Sequence, residues 1–106
     1  MNSTAAKKLG IMISARPESK NFEHGVNLAG AALRRGIAVY LYCIDHAVEG
    51  LAGSRLAELK EKGARIFACA YSMQERELNN PGDWTLSGLT ILSDLIANTD
   101  HFVSFN

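Results

Sequence analysis

Twice in succession the chain repeats one arrangement: helical spacing, a basic last turn, a glycine, then an apolar run. The first instance is "GVNLAGAALRRG" leading into "IAVYLYCI"; the second is "LAELKEKG" leading into "ARIFACAY". Two further apolar runs, "LGIMISA" (9–15) and "HFVSF" (101–105), stand at either end. The middle runs are apolar on both faces and rich in β-branched and aromatic residues, which is how strands of a parallel sheet covered on both sides read. A helix between successive strands brings them together in parallel through right-handed crossovers. The expected fold class is therefore α/β: a three-layer α/β/α sandwich with a mainly parallel sheet of four to five strands. With 106 residues the chain suffices for one hydrophobic core, so residues 1–106 form a single domain.

Local signals set the element boundaries. The first helix is expected to start near Asn21, a good N-cap, with Val26, Ala29, Ala32 and Leu33 on its apolar face. Gly36 is placed for a left-handed C-terminal cap behind two arginines. The second helix is expected to start near Ser54. The last is expected to begin around Asp83 to Thr85 and to stop near Asn98. Gly25 and Gly30, inside the first helix, each cost on the order of 1 kcal/mol against alanine. Close approach of that helix to the sheet would offset this. The stretch "ELNNPGDW" (77–84) crowds turn residues together and reads as a mobile or partner-facing loop.

Ligands and reactive groups of parallel α/β sheets gather beyond the carboxyl ends of the strands. Cys69 falls at that end of the third apolar run and is followed by Tyr71, Ser72 and a polar, helix-prone tail. A helix starting near Ser72 would put the thiol at a helix N-terminus, partly exposed, where free amides favour thiolate over thiol. Arg76 could swing back and add to that effect. Position alone leaves open the other reading, a small buried hydrophobe. Cys43 sits among bulky apolar neighbours in "VYLYCI", where burial without a cation makes a thiol inert. Pairing of neighbouring strands could still bring it near Cys69.

Other chemistries lack their residues. "CIDH" (43–46) has no second ligand cluster for a structural zinc site. There is no GxGxxG, no GxxxxGK[ST] and no GxSxG. Asp45 follows a strand as a phospho-acceptor would, but without an acidic cluster after the first strand. Eleven basic and eleven acidic residues give a formal net charge of zero, which argues against a nucleic-acid partner. It also leaves self-association unopposed by charge. No apolar run approaches the roughly 20 residues of a membrane span, and the first residues lack an apolar signal core. The expectation is a cytoplasmic protein, with no membrane partner and with reduced cysteines.

Taken together, "LGIMIS", "GVNLAGAALRRG" with "IAVYLYCIDHAVEGL", "LKEKGARIFACAYSMQERE" and "SGLTILSDLIANTDHFVSFN" resemble the DsrE/DsrF-like proteins of sulfur relay from end to end. The resemblance implies a small α/β subunit that assembles into a homo-trimer or hexamer. It implies a persulfide carried on Cys69, near subunit contacts. Tyr71, Ser72 and Arg76 would shape or polarise the pocket, and the chemistry calls for no metal or organic cofactor. The chain would then act as a sulfurtransferase-like carrier between a sulfur donor protein and an acceptor protein. The alternatives are a non-catalytic oligomeric scaffold or regulatory subunit, or a small-ligand binder of the same fold. Two departures from the family's pattern stand out. No second cysteine follows Cys69, and Arg76 precedes Glu77 where relatives carry glycine.

Overall fold

The computed structural model describes residues 7–79 and 84–106. The chain runs β1 (Lys8–Ile13), α1 (Lys20–Arg34), β2 (Ala38–Cys43), a 3-10 segment (Asp45–Ala52), α2 (Ser54–Glu61), β3 (Arg65–Cys69), α3 (Ala70–Glu75), β4 (Thr85–Ser87), α4 (Leu89–Asn98) and β5 (His101–Phe105). The strands form one sheet in the order β4-β3-β2-β1-β5, every neighbour parallel. The path steps outward from β1 to β4 and then returns to the far side of β1. With right-handed crossovers, that reversal puts α1 and α2 on one face and α4 on the other. The expected three-layer α/β architecture is what the chain adopts. Among the described residues no helix is long and apolar enough to cross a membrane.

The period of two along each strand divides the core. Ile11, Ile13, Val39, Leu41, Cys43, Ile66 and Ala68 face α1 and α2, where Phe22, Ala29, Leu56 and Leu59 cover them. Tyr42 and Cys69 point the other way, beneath Leu95 of α4, with Tyr40, Phe67 and Phe102 around them. Each fully buried large apolar side chain stabilises by about 1.5–3 kcal/mol. The larger cluster on the α1 side therefore supplies most of the fold's stability. Cys43 is in register with Ala68, so it lies across the sheet from Cys69. The approach of the two cysteines that strand pairing could have allowed does not occur.

Helix ends follow local chemistry. Ser19, rather than Asn21, caps α1: its hydroxyl accepts from Phe22 N at 3.2 Å. Asn21 turns to donate to Asn106 O at 2.7 Å. Gly36 (φ 77°) and Gly63 (φ 110°) adopt the left-handed conformation. The amides beyond them, of Ile37 and Ala64, return to Ala32 O and Leu59 O, each at 3.0 Å. This double closure is the glycine-centred helix stop that the repeated pattern predicts. The last helix differs from expectation. Thr85–Ser87 is an extended edge strand on β3, and α4 starts only after Gly88. Asp83, with Asn80, Pro81 and Gly82 of the turn-rich loop, lies outside the described residues.

The two helical glycines part company. A Cβ on Gly25 would stand 2.7 Å from Ile13 Cδ1 and 3.2 Å from Phe105 Cδ2, which is the expected close approach to the sheet. On Gly30 it would meet nothing nearer than Arg34 Nη1 at 3.5 Å, so the same explanation fails there. Gly30→Ala is expected to raise stability by about 0.5–1 kcal/mol through helix propensity. Gly25→Ala should lower it, because overpacking at about 1–3 kcal/mol outweighs a propensity gain of about 1 kcal/mol. Chemical denaturation of the two variants beside wild type checks both signs.

Candidate functional site

Cys69 ends β3 and is the N-cap of α3. Its backbone is extended (φ −68°, ψ 114°) and its Sγ accepts from the Ser72 amide at 3.5 Å. The strand therefore stops at a thiol because the next turn uses that sulfur as its cap. Partial exposure was expected; the residue is 4% exposed instead. The even-numbered side chains of β2 and the helix α4 cover it, through Tyr42 and Leu95.

Tyr42 is fully buried beside the sulfur. Its hydroxyl donates to two carbonyls at the end of β4, Gly88 O at 3.1 Å and Ser87 O at 3.3 Å. Burial, then the neighbouring Cys69, push its pKa up to about 12, against a smaller opposing pull from the Ser87 side chain. Tyr42 thus stays a neutral donor at any physiological pH. Ser87 is the register partner of Cys69 on β4, and its buried Oγ lies near enough to the Tyr42 hydroxyl to lower its pKa slightly but makes no hydrogen bond of good geometry. Neither residue was singled out from sequence. Alternation in "VYLYC" places Tyr40 and Tyr42 on one face, but the register that brings Ser87 opposite Cys69 is a tertiary fact.

The other expected site residues are placed as follows. Ser72 is buried at 2%, and it supplies its amide to Cys69 while its hydroxyl accepts from Asp45 N at 2.9 Å. That bond pins Asp45 at φ 54°, where the 3-10 segment begins. Arg76 does not return to the sulfur. Its Nη1 donates to Ser72 O at 3.3 Å and its Nε pairs with Glu49 Oε2 at 3.5 Å. Glu49 also lies 3.8 Å from His46 Nδ1, so the guanidinium is drawn to the 3-10 segment. Tyr71 is 66% exposed, and a hydrogen bond with Glu75 raises its pKa. The structure thus brings Cys69, Ser72, Tyr42 and Ser87 together and leaves Tyr71 and Arg76 on the outer side of α3. Cys43 is fully buried on the opposite face, its pKa pushed up to about 12 by burial alone.

Position 77 shows what the missing glycine changes. α3 ends as α1 and α2 do, with Leu78 N returning to Met73 O at 3.0 Å and Glu77 at φ 52°. A side chain in that conformation costs about 1–2 kcal/mol. The departure thus strains a helix stop and leaves the stop's hydrogen bonds in place.

Sequence comparison gives a family for this all-parallel α/β sheet whose third strand ends in a thiol capping the next helix. The chain belongs to the DsrE/DsrF-like family, whose model matches residues 7–105. Its fold is similar to the crystal structure of the YchN protein from E. coli, with TM-score 0.82 and 15% identity, covering 95% of this chain and 100% of that one. It is also similar to BT1422 from Bacteroides thetaiotaomicron, a conserved protein of unknown function, with TM-score 0.74 and 20% identity, covering 92% and 94%. At these identities the likeness concerns the fold. No curated protein matches the sequence significantly.

Proposed function

We propose that the protein is a sulfur carrier that holds sulfane sulfur as a persulfide on Cys69 and passes it to an acceptor protein. The observation that carries this reading is a thiol at a strand end that accepts the Ser72 amide, with the buried Tyr42 side chain packed beside it. Membership of the DsrE/DsrF-like family supports a role of the sulfur-relay type. In the loading step the Cys69 thiolate attacks the outer sulfur of a donor persulfide or polysulfide. A bond forms between Sγ and that sulfur, the donor's S–S bond breaks, and the electron pair leaves on the donor's inner sulfur. Unloading is the same exchange, with the acceptor's thiolate attacking and Cys69 leaving. No net oxidation occurs in either step. Because Cys69 is 4% exposed, each exchange needs a local opening of its cover.

Homo-oligomeric assembly is part of the proposal. Leu86 on β4 and Leu89 and Ile96 on α4 are 42%, 61% and 53% exposed, and they are apolar side chains that a second copy would cover. The burial of Cys69 is the one observation that favours the other reading, an oligomeric scaffold without sulfur chemistry. Incubation with polysulfide followed by intact-protein mass separates the two. The carrier gains about 32 Da per protomer, removed by reductant, since a persulfide forms and reverses by thiol exchange. Light scattering on the same sample should give a trimer or hexamer. An unchanged mass would overturn the carrier reading, and a monomer would overturn the assembly.

A further inference from the structure

We infer that the side chains of Ser87 and Tyr42 form the receiving site for the outer sulfur of the Cys69 persulfide. The inference rests on the carrier reading above and assigns residues to it that the cysteine alone does not require. Ser87 and Cys69 are register partners at the ends of neighbouring strands, so their side chains stand on the same face. Ser87 Oγ is buried and has no hydrogen-bond partner. An orphaned buried hydroxyl is costly, and a ligand atom that it can bond removes the cost. The Tyr42 hydroxyl lies against both Cys69 and Ser87 and divides its one proton between two carbonyls at 3.1 and 3.3 Å. A divided, long bond of this kind is readily exchanged for a single stronger one to an anion.

The neighbouring backbone fits the same ligand. α4 begins at Gly88 with no side-chain cap on its first amides. A Cβ on Gly88 would meet nothing within 4 Å, so the backbone at this helix start is unobstructed. After loading, the negative charge sits on the outer sulfur, one atom beyond Sγ. Hydroxyl donors and the start of an uncapped ten-residue helix are what would hold it there. Ionised side chains of the surrounding elements are engaged elsewhere. Arg76 of α3 pairs with Glu49, and Glu75 with Tyr71. Asp94 of α4 lines a separate groove with Lys8 and Tyr40. Arg65 stands over the Tyr40 ring at the start of β3.

The test compares wild type, Ser87→Ala, Ser87→Thr and Tyr42→Phe, each loaded with polysulfide. The rate at which iodoacetamide traps the persulfide is followed by mass across pH. Loss of one donor from the persulfide anion should raise the midpoint of that profile by about half to one pH unit in Ser87→Ala and in Tyr42→Phe. Ser87→Thr, which keeps the hydroxyl, should follow wild type. The profile of the unloaded thiol should not move in Ser87→Ala, since Ser87 Oγ makes no hydrogen bond to the sulfur in the unloaded site. Loaded profiles that coincide for wild type, Ser87→Ala and Tyr42→Phe would overturn the assignment and leave the carrier intact. Equal shifts with and without sulfur in Ser87→Ala would overturn it as well. A wild type that never loads would instead remove the carrier reading, and this site with it.

Discussion

Cys69→Ser protein is expected to fold and assemble as wild type does, and to take up no sulfur at all. Serine is a preferred N-cap, so its hydroxyl can accept the Ser72 amide that now reaches the sulfur at 3.5 Å. The stability change should stay within about 1 kcal/mol, because the cap bond is kept and only one buried atom changes. Loading cannot shift to Cys43, which is fully buried on the far face and held protonated, with a pKa of about 12. The reverse substitution has the reverse profile. Cys43→Ser should load as wild type does but lose about 1–3 kcal/mol, because its new hydroxyl is buried among Ile11, Leu41 and Ala68. Intact mass after polysulfide, together with urea denaturation, reads both halves of each prediction.

Alkaline pH should destabilise the protein steeply. The Cys43 pKa is raised from its ordinary value of 9.0 to about 12, and that of Tyr42 from 10.0 to about 12. Both groups are neutral when protonated, so the folded state keeps protons that the unfolded chain releases. The stability they confer is complete below pH 9, where both states are protonated. It is lost as pH rises from there towards 12. Each group adds a slope of about 1.4 kcal/mol per pH unit above its ordinary pKa. By pH 11 the two together remove about 4 kcal/mol, a large part of the 5–15 kcal/mol typical of a domain. Cys43→Ala should lose only about 1.4 kcal/mol over the same range, the share of Tyr42. Urea midpoints from pH 8 to 11 measure it; parallel losses in wild type and Cys43→Ala would contradict it.

Much of this fold is written in local chemistry. Gly36 and Gly63 sit where the chain must turn left-handed, and basic residues precede them. The helix–glycine–strand repeat therefore signals crossovers before any contact is known. The edge strand Thr85–Ser87 is less legible. It has three residues, two of them exposed, and its extended form comes from hydrogen bonding to β3 rather than from its own pattern. The site divides along the same line. Cys69 is marked by its place at the end of an apolar run beside a helix start, and both are local features. Its burial, and its company of Tyr42 and Ser87, depend on how three strands align, which no single stretch encodes. The direction of Arg76 was open for a similar reason. Its partner Glu49 is close in space because Ser72 ties α3 to the 3-10 segment, although it lies 27 positions earlier.

Whether sulfur rides on Cys69 is decided by locating the added atom. Protein treated with polysulfide is alkylated while folded, digested with trypsin and analysed by mass spectrometry. Cleavage after arginine separates residues 66–76, which carry Cys69, from residues 36–55, which carry Cys43. One extra sulfur, about 32 Da, is expected between the alkyl group and Cys69, with Cys43 unmodified. Extra sulfur on Cys43, or none on residues 66–76, would contradict that expectation.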